Sequence, residues 1–134
     1  VNLADPRTLV GTWRLARTLT DRYAGVTGSV TGTLALAASD EGLTWSETGT
    51  LTWEGRDHPV TRLLRLTCEP DGWLVRFEHG GAFHPWRPGE PVVHPCRADT
   101  HRGVVRSAGA EAWTVVWEVT GPTTDYTSAT TLTR

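Results

Sequence analysis

"LTWSETGTLTW", residues Leu43 to Trp53, alternates with a period of two. Leu43, Trp45, Glu47, Gly49, Leu51 and Trp53 share one face, and Thr44, Ser46, Thr48, Thr50 and Thr52 share the other. Successive side chains of a β-strand point to opposite faces, so this is a long strand with one apolar and one hydroxyl-rich side. Glu47 breaks the apolar face. A carboxylate in such company is costly unless paired, so it is expected to be paired or partly protonated. Arg17 has the same parity as Trp13 and Leu15 in an earlier alternating stretch, which makes it the natural partner. Two readings follow: a buried ion pair that sets register, or an acid or base with a raised pKa in a pocket.

The same alternation predicts strands at Gly11 to Thr20, Ser29 to Ala37, Pro59 to Thr67, Trp73 to His79, Pro91 to His94, Arg102 to Arg106, Trp113 to Thr120 and Thr124 to Arg134. Turn-forming clusters separate them: "SDEG" from Ser39, "EGRDHP" from Glu54, "EPDG" from Glu69, "RPGEP" from Arg87 and "SAGAEA" from Ser107. Short connections imply an antiparallel meander. The only helical signal is "DPRTLV", where Asp5 can cap a turn that starts with Pro6. "TGTL" occurs at Thr31 and again at Thr48, which suits two strands of one meander. About nine strands in one domain leave a sandwich or a closed barrel, and closure is the usual way such a meander removes its edges.

A chain of 134 residues fits one domain, expected to span 1–134, and folds without a metal or disulfide as staple. Thirteen basic and fifteen acidic residues give a formal charge of −2 with no charge block, which argues against a nucleic-acid arm or a polybasic membrane patch. All the basic residues are arginine; lysine, methionine, isoleucine and glutamine are missing, a bias expected of a GC-rich bacterial genome. Lack of lysine removes Schiff-base chemistry. Cys68 and Cys96 lie in different segments and read as reduced thiols. The opening "VNLADPRTLVGTW" has neither a basic nor an apolar leader region, and no run reaches a membrane span, so a cytoplasmic location is expected.

Chemistry-bearing residues concentrate in "GAFHPWRPGEPVVHPCRADTHRG", Gly81 to Gly103. His94, Cys96, Asp99 and His101 resemble a ligand set, but their spacing matches no common zinc pattern, and no metal or other cofactor is expected. Cys96 lacks the surroundings of an activated nucleophile and reads as a buried, inert thiol. No serine stands in a Gly-x-Ser-x-Gly context. His84, beside Phe83 and Pro85-Trp86, and His94, after Val92-Val93, lie in apolar company, where a neutral histidine either satisfies a core hydrogen bond or meets a ligand. In "VTGPTTDY", Tyr126 shares parity with Leu132 and Arg134 and is expected inside, whereas Asp125 is expected to tie the turn through backbone donors. Seven tryptophans are many for this length; they suggest core, with Trp86 placed to line a pocket.

"LVGTW" opening the first strand, with Arg134 on the last, resembles the calycin signature, in which a late arginine covers the indole of a Gly-x-Trp. Together with Arg17, Glu47, Arg62, "FEHGGAFH", "HPCRADTHRG" and "WEVTGPTTDY", it resembles a bacterial domain family of unknown function with a calycin-like barrel. That pattern runs Phe-His, His-x-Cys-x-x-Asp-x-Tyr-x-Gly, Gly-Pro-x-x-Asp-Tyr over nearly the whole chain. His101 stands where the family tends to have tyrosine, which argues against any role there that needs a phenol.

The sequence therefore predicts an all-β, single antiparallel up-and-down barrel of calycin or lipocalin-like type, about 8–10 strands with a short N-terminal helical turn. The expected function is binding of a small, largely apolar molecule inside it, with Arg17, Arg62, Trp86 and Tyr126 as ligand-binding residues. Glu47, His84 and His94 are the candidate acid-base groups of an alternative, a cofactor-independent isomerase, cyclase or dehydratase. A structural barrel with no cavity is the third reading. The expected partner is a small molecule, neither nucleic acid nor membrane, for a monomer or homodimer.

Overall fold

The computed structural model describes residues 1–134. A 3-10 turn, Pro6–Leu9, precedes ten strands: β1 (Gly11–Asp21), β2 (Val26–Ser39), β3 (Gly42–Trp53), β4 (Arg56–Glu69), β5 (Gly72–Phe77), β6 (Ala82–Pro85), β7 (Val92–Cys96), β8 (Asp99–Gly109), β9 (Ala112–Gly121) and β10 (Thr124–Thr133). They form one antiparallel sheet in the order β6-β5-β4-β3-β2-β1-β10-β9-β8-β7. The first and last strands pair along eight residues, from Arg14 opposite Thr133 to Asp21 opposite Tyr126, which curls the meander into a nearly closed barrel. No helix is long and apolar enough to cross a membrane.

The barrel is open along one seam. β6 and β7, consecutive in the chain, are the two ends of the hydrogen-bonded order and share no ladder. Side chains close the seam instead. Phe83 of β6 packs against His94 of β7 with ring centroids 5.2 Å apart, and stacks on Trp117 of β9 at 5.0 Å. The "RPGEP" segment thus joins two strands that do not pair with one another.

The ten strands fall within the expected 8–10, and the one that alternation did not mark is Ala82–Pro85, whose pairing with β5 is displaced at Val75/Arg76. The "EGRDHP" turn shrinks to Glu54-Gly55, both with positive φ (50° and 74°), so β4 begins at Arg56. A two-residue loop with both residues in that region is the tightest hairpin connection, and its twist matches the flanking strands.

Parity places the core. Trp13, Trp45 and Trp113 fill one end of the barrel, with Trp113 meeting both neighbours edge to face at 5.7 Å. The N-terminal turn seals that end. The Trp13 indole donates to the Leu9 carbonyl at 2.8 Å, and that of Trp86 donates to the Leu3 carbonyl at 2.7 Å. Arg134 lies over the Trp13 ring at 4.1 Å and donates to the Val10 carbonyl, the arrangement expected from the calycin resemblance. The two "TGTL" motifs also acquire a reason. Gly32 and Gly49 are direct cross-strand partners, and a Cβ at Gly32 would collide with the Thr48 carbonyl oxygen. Paired glycines let β2 and β3 bend sharply, as a small barrel requires.

Candidate functional site

Along the inward faces the lining changes in layers. Trp13, Leu15, Arg17 and Leu19 ascend β1; Trp45, Glu47, Gly49 and Leu51 ascend β3; Leu132, Thr130, Ser128 and Tyr126 descend β10 toward the opposite end. A polar girdle of Arg17, Glu47 and Arg62 therefore sits above the tryptophan plug. Above the girdle lies a cavity of about 500 Å³, within the range of small-molecule sites.

Glu47 is fully engaged. Arg17 Nη2 donates to its Oε1 at 2.9 Å, and the Trp45 indole donates to Oε2 at 2.8 Å. Arg17 is held in turn by Thr130, whose hydroxyl accepts from Nε at 2.7 Å. With 7% of the Glu47 side chain and 15% of the Arg17 side chain exposed, this is a buried ion pair with satisfied oxygens.

Arg62 lies directly across from Glu47 in the β3–β4 ladder yet donates no hydrogen bond to the protein. Its recorded contact is the face of Phe83, at 5.5 Å. Arg62 is exposed by surface area although barrel wall stands around it, because the cavity it borders opens to solvent. Burial lowers its pKa, an effect that Glu47 opposes and Arg17 reinforces. An arginine so placed still carries its charge at neutral pH.

The walls are mainly apolar. Leu15, Leu19, Val30, Leu51, Val60 and Val119 contribute aliphatic surface. Phe77, Phe83 and Trp117 form an aromatic stack on one side, with centroid separations of 4.6 and 5.0 Å. Trp117 lies against Gly103, its cross-strand partner, where a Cβ would meet the indole at 2.6 Å.

Polar groups return along β7, β8 and β10. His94 and His101 are cross-strand partners with rings 5.9 Å apart, and both line the cavity with Cys96, Tyr126 and Ser128. Neither His94 nor the Tyr126 hydroxyl has a hydrogen-bond partner in the protein. Burial raises the Tyr126 pKa and lowers that of His101, so both are neutral at pH 7.

The candidates thus divide. Arg17, Glu47, Arg62, His94 and Tyr126 converge on the cavity. His84 and Trp86 do not line it; they border an adjoining void of about 30 Å³ on the plug side of the girdle, which Glu47 and Arg62 also border. His84 is 7% exposed, and its Nδ1 lies 2.8 Å from the Pro85 carbonyl. A carbonyl only accepts, so Nδ1 carries the proton, and burial pushes the pKa down to about 4.

Two expectations are overturned. Cys96 is exposed rather than buried, because β7 ends at the cavity mouth. The Asp125 side chain pairs with Arg22 at 2.9 Å, and it is the Asp125 carbonyl that accepts the Arg22 and Tyr23 amides. Trp117 was available from sequence through its parity with Trp113, Val115 and Val119, and Phe77 through its parity with Trp73 and Val75; nothing local marks Phe83 as cavity wall. No three of His, Cys, Asp and Glu converge as a metal-binding group.

Fold and cavity together define a calycin-like barrel able to enclose a small molecule. The chain belongs to the family of unknown function DUF6314, whose model matches residues 9–134. No curated protein matches it. Among solved structures it is similar to the S-type phycobiliprotein lyase CPES from Guillardia theta, at 12% identity and a TM-score of 0.63, covering 93% of this chain and 87% of that one. It is also similar to a redesigned β-barrel, mFAP1, bound to DFHBI, at 17% identity and a TM-score of 0.47, covering 98% and 99%. At these identities the likeness concerns the fold alone.

Proposed function

We propose that this protein binds a small, largely apolar molecule in the cavity above the Arg17–Glu47–Arg62 girdle. The observation that carries the reading is the cavity itself. A barrel this small is able to fill its interior with side chains, yet here about 500 Å³ remains between the girdle and the mouth. Its walls supply the apolar surface a ligand body needs. Arg17, Arg62, His94 and Tyr126 supply a few polar groups, the composition expected of a ligand pocket. The cavity argues against the barrel as a purely structural element.

N-phenyl-1-naphthylamine, a neutral dye whose emission rises in apolar surroundings, tests this. Saturable enhancement with a 1:1 endpoint is expected, and Leu51→Trp, which fills the cavity from β3, should weaken it at least tenfold. Equal binding to wild type and Leu51→Trp would contradict the reading.

A second reading, cofactor-independent proton transfer, is favoured by the free ring nitrogens of His94 facing the same space as the unpartnered Tyr126 hydroxyl. Glu47 has both oxygens occupied, and His84 lies outside the cavity, so His94 would carry such chemistry. With a turned-over ligand in hand, His94→Ala would abolish reaction while sparing affinity; unchanged turnover would dismiss it.

A further inference from the structure

The charges inside the barrel do not cancel. Arg17 and Glu47 neutralise one another through a 2.9 Å contact, and the histidines and tyrosine whose pKa values are displaced are displaced toward neutrality. Arg62 remains. Its guanidinium is positively charged, makes no hydrogen bond to any protein acceptor, and has as its recorded contact the Phe83 ring. Enough barrel wall surrounds the guanidinium for burial to lower its pKa, yet its exposed surface shows that it meets solvent through the cavity rather than being sealed from it. None of the five N–H donors of the planar fork is spent on a protein acceptor, and the side chain borders the cavity.

We infer that the cavity selects a molecule with one oxyanionic group, a carboxylate on an apolar chain or ring, seated on Arg62 with its body directed to the mouth. This rests on the ligand-binding reading above and adds the chemical class. Three features select this class. A single uncompensated positive charge balances a monoanion rather than a phosphate dianion. The planar fork matches a carboxylate edge in the bidentate manner. The wall above the girdle is aliphatic and aromatic, formed by Leu19, Leu51, Val60, Phe77 and Trp117, so a ligand that is polar throughout would leave its other groups unpaired. Arg17 is not the anchor, because Glu47 and Thr130 already hold it.

The test is competition against N-phenyl-1-naphthylamine by decanoate and by decanol, which share a chain and differ in charge. Wild-type protein should prefer decanoate by about tenfold or more, the usual worth of a charged hydrogen bond. Arg62→Met should remove the preference while the dye still binds, and Arg62→Lys should retain part of it. Circular dichroism and thermal melting check that each variant is folded; Arg62 makes no hydrogen bond whose loss would unfold the barrel. If the dye binds and the two competitors displace it equally from wild type, the anionic class is overturned and the ligand-binding reading stands. If Arg62→Met keeps the decanoate preference, the assignment to Arg62 is overturned. If neither dye nor decanoate binds, both fall together.

Discussion

Arg17 of β1 reaches across β2 to Glu47 of β3, with Nη2 2.9 Å from Oε1. Gly32 lies between them in the sheet, on the strand both neighbours share, and offers no side chain to block the path. The ion pair therefore ties three strands at the level where the plug ends and the cavity begins.

Breaking this pair from one side strands a buried charge. Glu47→Gln should cost about 3 kcal/mol or more, measured by urea denaturation. The double variant Arg17→Met/Glu47→Gln should be less destabilised than the sum of the single changes. Additive losses would mean that the two residues act independently.

The close approach of β2 and β3 allows only glycine at their crossing. A Cβ at Gly49 would stand 2.5 Å from the Thr31 carbonyl oxygen, and one at Gly32 would collide with that of Thr48. Either Gly→Ala change should destabilise the fold by roughly 2 kcal/mol or more, read from the denaturation midpoint. Wild-type stability in both variants would show that the strands have room to relax.

His84 makes stability depend on pH. Its pKa, about 4 in the folded chain against an ordinary 6.5, means that the unfolded chain takes up a proton first as pH falls. Its effect is absent above pH 6.5, grows as pH drops, and is complete below 4. The loss amounts to roughly 3 kcal/mol. His101, also depressed by burial, adds in the same direction. Thermal melts from pH 7 to 4 should show a shallower decline for His84→Gln than for wild type; parallel curves would remove His84 as the cause.

Arg134 covers Trp13 at 4.1 Å and donates to the Val10 carbonyl at 3.2 Å. Arg134→Ala should lower stability by about 1 kcal/mol or more. Arg134→Lys should recover only part of this, since a point charge does not reproduce the planar stack. Full recovery by lysine would reduce the contact to charge alone.

Much of this architecture is legible in strand parity. The run from Leu43 to Trp53 places Glu47 inside, and parity with Trp13 places Arg17 on the interior face where it can reach Glu47, because a two-residue period admits only two faces. Parity fails where the strand does. Ala82–Pro85 is short, ends in proline and pairs with β5 through a displaced register, so Phe83 and His84 are both buried though consecutive. No alternation rule assigns His84 to the plug side and Phe83 to the cavity wall. The open seam is equally hidden, because Phe83, His94 and Trp117 close it through contacts between residues distant in sequence. Arg62 had the right parity for the interior, but its lack of an acceptor is a property of the assembled barrel.

The seven tryptophans offer the most direct test of ligand binding inside the barrel. Their indole N–H resonances can be followed by two-dimensional nitrogen-proton NMR while N-phenyl-1-naphthylamine is titrated in. Trp117 borders the cavity, whereas the indoles of Trp13 and Trp86 are bonded to the Leu9 and Leu3 carbonyls at the sealed end. A saturable shift of the Trp117 signal, with those of Trp13 and Trp86 nearly still, is the expected result. A still Trp117 signal at dye saturation, or shifts confined to residues on the outer face, would contradict it.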